Sequence, residues 1–196
     1  MLEFAAAVFF LFITPGPGVL STAGIGSAFG ARAGLSYVVG LGLGHNLVAL
    51  LVITGIAAAA LALPWLRTVL GLAAALYLLY LAAKIALAGS RIGFIHPEEP
   101  PGFVNGFTLQ MINPKAYAVN TAIFSGFAFM PQDVTAEIAL KFLIMNAVWI
   151  PIHALWLHAG VTVRRLELPP RINRIINVAM ALAMLTVVAL AVASQF

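Results

Sequence analysis

The stretch FLFITPGPGVLST, residues 10–22, lies inside a long apolar run near the start of the chain, yet it sets Pro15, Gly16, Pro17 and Gly18 in succession. An apolar run of this kind reads as helix. Proline interrupts a helix because it lacks an N–H and its ring clashes with the carbonyl four residues back. Pro15 and Pro17 therefore free the carbonyls of Leu11 and Ile13. A free carbonyl in hydrocarbon costs on the order of several kcal/mol unless water, a neighbouring helix or a ligand meets it. Gly16 and Gly18 let the backbone unwind and let a ligand come close. Such a break is tolerable where it lines a polar chamber inside a membrane protein.

Composition supports that setting. The 196 residues are 63% hydrophobic and 8% charged, with mean hydropathy +1.07; a soluble domain carries roughly 25% charged residues. The apolar runs are continuous rather than alternating, which selects membrane helices over a barrel. The fold class expected is an all-α polytopic membrane protein with six spans, at about 4–26, 35–61, 67–88, 105–129, 138–162 and 173–194. The connections carry the turn formers, and no separate soluble domain fits. No Lys or Arg precedes Arg32, so the first span does not read as a cleaved signal. Cysteine is absent, which removes disulfide, thiolate-metal and thiol redox chemistry.

The net charge of +4 points to orientation in a bilayer rather than to nucleic acid. Arg32, Arg91, Arg164, Arg165 and Arg171 fall in the first, third and fifth connections, with Lys84 and Arg174 at adjoining helix ends; the opposite side has Arg67 and Lys141. Positive connections stay in the cytoplasm, so both termini are expected outside, in the periplasm of a Gram-negative cell, with the chain in the inner membrane.

A second break, LQMINPKAY at residues 109–117, resembles the first. Each has a small polar residue followed by proline, Thr14-Pro15 in span one and Asn113-Pro114 in span four. Two three-span repeats, about 1–90 and about 103–196, must then lie inverted in the membrane, and paired broken helices are a transporter signature. The acids Glu3, Glu98, Glu99, Asp133, Glu137 and Glu167 all sit at edges or in loops, whereas His45, Asn46, Gln110, Asn113, Lys115, Asn120, Asn146 and His153 are interior. A lysine at a helix centre costs about 2.5–3.5 kcal/mol and usually faces a pathway; Lys115, beside the second break, is the leading candidate. Lys84, near a helix end, reads equally as a snorkelling side chain. His45 ends GLGLGH, residues 40–45. It titrates near neutral pH, so it reads either as a proton relay or as a packing histidine. Gly40 and Gly44 form a G-x-x-x-G pair for close helix packing. The stripe Gly26, Gly30, Gly34 reads equally as intrasubunit packing or as a homodimer seam. His153 and His158 stand five apart, off a shared face, so no metal pair arises from them. The glycine-rich segments follow no strand and fail the context of a phosphate loop. No catalytic set appears, so an enzyme is not expected, nor is a cofactor.

TPGPG, GLGLGH, YLLYLAAK and GFTLQMINPKA together resemble the LysE/RhtB exporters, bacterial carriers of amino acids and related small molecules, over the whole chain. The resemblance implies six helices in two inverted repeats and proton-driven efflux from the cytoplasm. It also implies substrate-binding residues Thr14, Pro15, Gly16, Pro17, Asn113, Pro114 and Lys115, with His45 and Lys84 secondary. Gly18 stands where that family usually carries Asp or Asn; it joins the substrate-binding set, and Asn46 and Asn146 join the secondary one. The expected cargo is an amino acid or derivative, zwitterionic or anionic, since the interior is cationic and lacks acids. The rival readings are a metal-ion exporter of related fold and a non-transporting membrane assembly protein.

Overall fold

A computed structural model describes residues 1–87 and 99–193; Arg91 and Glu98 lie outside the described residues. Nine helices occupy the described residues: α1 (Leu2–Ile13), α2 (Pro17–Phe29), α3 (Ala31–Ile53), α4 (Ile56–Leu61), α5 (Pro64–Ala86), α6 (Phe103–Ile112), α7 (Pro114–Ser125), α8 (Val134–Arg165) and α9 (Pro170–Ala193). No strand occurs among the described residues. Three helices, α3, α5 and α8, are long and apolar enough to cross a membrane, and α1 with α2 makes a fourth if that bent pair is one span.

The prolines start helices. Pro17, Pro64, Pro114 and Pro170 each open one, the position where a missing N–H costs nothing and a fixed φ is already helical. Pro151 alone lies in a helix interior, in α8. Asn113 caps α7 by accepting the Lys115 N–H at 3.1 Å, and Asp133 caps α8 by accepting the Ala136 N–H at 2.9 Å. The second span differs from expectation. The apolar run to residue 61 is broken at Thr54-Gly55, where Gly55 has φ 74°, a left-handed turn that glycine takes without a Cβ clash.

Length places the two proline breaks. At 1.5 Å per residue α1 and α2 span about 18 and 20 Å, and α6 and α7 about 15 and 18 Å. Each is close to half a hydrocarbon core of about 30 Å. Each break therefore lies between two rods of about half-span length, and α1 bends from α2 by 51°.

The main packing is α3 on α6, α2 on α8 and α5 on α9. Glycine makes the first two very close. A Cβ at Gly40 would run into the Phe103 carbonyl, and one at Gly106 into the Tyr37 carbonyl. The G-x-x-x-G pair of α3 thus seats α6, as its spacing predicts. Gly26 and Gly34 abut Leu157, and a Cβ at Gly160 would meet the Ala23 carbonyl. The small-residue stripe is used inside the chain, between α2 or α3 and α8. Phe4, Tyr37, Leu41, Leu81, Leu109, Ile123 and Met145 fill the interior, while Leu35, Leu43, Leu76, Leu143 and Ile150 are exposed on the outside, the distribution of a protein solvated by lipid.

Lys141 and Glu137, expected at a membrane edge, are buried as a pair. Lys141 Nζ lies 2.8 Å from Glu137 Oε1 and donates to the Phe124 and Phe127 carbonyls. Glu137 Oε2 accepts the Phe129 and Met130 N–H groups. The pair ties down the α7–α8 turn. Phe4 of α1 packs edge-on to Phe127 at 5.7 Å and against Phe129 at 5.5 Å.

Candidate functional site

The two breaks meet. Lys115, second residue of α7, reaches across to donate from Nζ to the Thr14 carbonyl at 2.8 Å. That carbonyl has no helical donor, because the chain leaves helical geometry at Thr14 and resumes it at Pro17. The lysine lies over Gly16, where a Cβ would sit 2.9 Å from both its Cδ and its Nζ. Any larger residue there would displace the lysine side chain.

Around this contact is a cavity of about 50 Å³, room for about three waters by the volume a single water needs. Thr14, Gly16, Gly18, Asn113, Lys115 and His45 line it, all expected at the site. Thr14 is exposed at its mouth, and Asn113, Asn120, His45 and His153 are buried deeper in. Pro15, Pro17 and Pro114 shape the breaks but do not line the cavity. The side-chain oxygen of Asn113 caps α7 by accepting the Lys115 N–H, which leaves its amide N–H groups at the cavity wall.

Three secondary candidates lie elsewhere. Lys84 donates to the Glu99 carbonyl at 2.8 Å and sits over Tyr80, away from the cavity. Asn46 and Asn146 bond reciprocally, at 2.9 and 2.8 Å, in a separate groove between α3 and α8. In both cases a local carbonyl or amide satisfies the side chain, so nothing directs it to the chamber.

The wall also holds Gln110, Asn120 and His153, which the sequence marks as interior polar residues without assigning them to the site, and Trp149, which it does not mark. Trp149 stacks on His153 at 3.7 Å and on His45 at 5.6 Å, so one indole lies between two imidazoles. The available signal is the four-residue spacing of Trp149 and His153, which puts both on one face of a helix. Asn113 and Asn120 are likewise two turns apart on α7. His153 Nδ1 is 3.0 Å from the Trp149 carbonyl. A carbonyl only accepts, so Nδ1 carries a proton in this contact.

The electrostatics are one-sided. No Asp or Glu lines the cavity. The start of α2 has no side-chain cap, and no described acceptor takes the N–H of Gly18 or Val19, both in the wall. Those donors and the positive end of the helix dipole favour an anion. Two buried polar atoms of the wall, His45 Nε2 and Asn120 Oδ1, have no partner. Unpaired buried polar atoms are rare and call for a ligand or water. The wall thus presents donors, the Lys115 ammonium and open N–H groups, beside an acceptor, the free amide oxygen of Asn120.

Comparison with curated proteins and with solved structures returns no match. Residues 9–195, nearly the whole chain, match one family, that of the LysE type translocators. Apolar membrane-length helices beside two broken ones that enclose a polar chamber suit a translocator, and this chain belongs to the LysE type translocator family.

Proposed function

We propose that this translocator is a secondary active exporter of amino acids or small amino-acid-like metabolites across the bacterial inner membrane, coupled to protons. The observation that carries the reading is the pairing of the Lys115 ammonium with the uncapped start of α2 in a cavity lined by no acid. A substrate carboxylate takes Lys115 from the Thr14 carbonyl and accepts from the N–H groups of Gly18 and Val19. The substrate ammonium is met by Asn120 Oδ1 and the Leu11 carbonyl freed by Pro15. His45, with its unpartnered Nε2, carries the coupling proton. The cavity is too small for such a molecule while Lys115 stays on Thr14, so binding and release of this contact are linked.

The orientation follows from arginine. Arg32, Arg164, Arg165, Arg171 and Arg174 belong on the cytoplasmic side, with both termini in the periplasm. The halves are read as inverted repeats, residues about 1–90 and about 103–196. The support is reciprocal packing of whole spans: the broken span of each half lies on the long second helix of the other, α1 and α2 on α8 and α6 and α7 on α3.

The test is radiolabelled uptake into inside-out vesicles. Saturable amino-acid uptake that a protonophore abolishes is expected, with competition by the free acid and none by its methyl ester. Equal competition by acid and ester would remove the carboxylate from the mechanism.

A further inference from the structure

A second, larger hollow lies outside the chamber, between α3 and α8, with a volume of about 580 Å³. It runs from the Asn46–Asn146 pair at one end to Ala31 and Arg165 at the other. Along α3 that is about 22 Å, longer than the roughly 15 Å of hydrocarbon in one leaflet. Its sides are apolar, with Leu35, Val39, Leu43 and Ile150 exposed along it.

The polar end decides what fills it. Arg164 spends its guanidinium on the Ala28 carbonyl. The Arg165 guanidinium, also exposed, has no hydrogen bond or ion pair among the described residues, and Arg32 follows Ala31 at the same end. No acid lines the groove. A second copy docked here by two-fold symmetry would bring the same acid-free lining and no partner for these arginines. An anionic headgroup satisfies them instead, while one acyl chain fills the slot.

We propose that the α3–α8 groove is a binding site for an anionic phospholipid, its phosphate at Arg165 and an acyl chain along Val39 and Ile150. The inner wall of the groove is Trp149, which also lines the chamber. Its ring lies over Gly42, where a Cβ would be 3.2 Å away, and on His153 at 3.7 Å. The acyl chain thus backs the aromatic wall of the chamber.

The test is native mass spectrometry of the purified protein titrated with phosphatidylglycerol or phosphatidylcholine of the same chains. Phosphatidylglycerol should be favoured about five-fold, the weight of one cation facing an anionic lipid. Arg165→Gln should erase the preference, and Val39→Trp, which fills the slot, should weaken both lipids. Equal binding of the two lipids to the unaltered protein overturns the proposal, whatever the variants do. So does efficient cross-linking of two copies through Val39→Cys, a clean probe because the chain has no other cysteine.

Discussion

Replacing Lys115 with glutamine tests the chamber most directly. The change removes the charge and shortens the side chain, so two contacts are lost: the bond to the Thr14 carbonyl at 2.8 Å and, when cargo is present, the bond to its carboxylate. A hydrogen bond with one charged partner contributes about 1.5–3 kcal/mol. Applied to the carboxylate, that range is about a ten- to hundred-fold loss of apparent affinity. Applied to the Thr14 contact, the same range lowers the melting temperature by several degrees, at about 2–4 °C per kcal/mol for a chain of this size. The assay is concentration-dependent uptake into proteoliposomes, beside a thermal unfolding curve of the same preparation. Half-saturation should rise at least ten-fold in a folded protein. Half-saturation unchanged, in a variant that melts only slightly earlier, would refute the assignment of Lys115 to the carboxylate.

Gly16→Val keeps the lysine and moves it: the added atoms collide with Cδ and Nζ, so uptake should fall about as far as in Lys115→Gln, read in the same vesicles. Asn120→Leu removes the free amide oxygen of the wall and should weaken an amino acid about ten-fold, one hydrogen bond to a charged group, while leaving competition by the matching deaminated acid unchanged. Asn46→Leu with Asn146→Leu, as a double-mutant cycle in thermal or denaturant unfolding, should give a coupling of about 0.6–1.7 kcal/mol, the range for polar pairs in membrane helices. Gly106→Val drives a side chain into the Tyr37 carbonyl and should abolish the folded monomer on size exclusion, a larger loss than the roughly 1–3 kcal/mol of ordinary overpacking.

The breaks are legible in the sequence because proline and glycine announce themselves locally. Thr14 through Gly18 and Asn113 through Lys115 need no partner to be recognised. Lys115 stands out by its charge amid apolar neighbours. What stays hidden depends on which helices touch. Asn46 finds Asn146 one hundred residues away, and nothing in either local sequence points to the other. His153 and Trp149 enter the wall because α8 crosses the first break through α2. Lys84 reads equally as a functional or a snorkelling charge, and only the fold shows that it meets the Glu99 carbonyl. The turn at Gly55 is masked by hydropathy, since Thr54 and Gly55 hardly dent an apolar run and only the backbone angle reveals the stop.

The cross-packing of α2 on α8 and α3 on α6 has a mechanical consequence. Each half of the chain grips the other's long helix through bare backbone, as clasped fingers do. Two lobes joined this way cannot rock apart about a seam, because no seam divides them. Of the two short rods beside the breaks, α6 is held in that clasp and α1 is not, so flexing at Thr14–Gly16 is the motion that the packing leaves to the chamber.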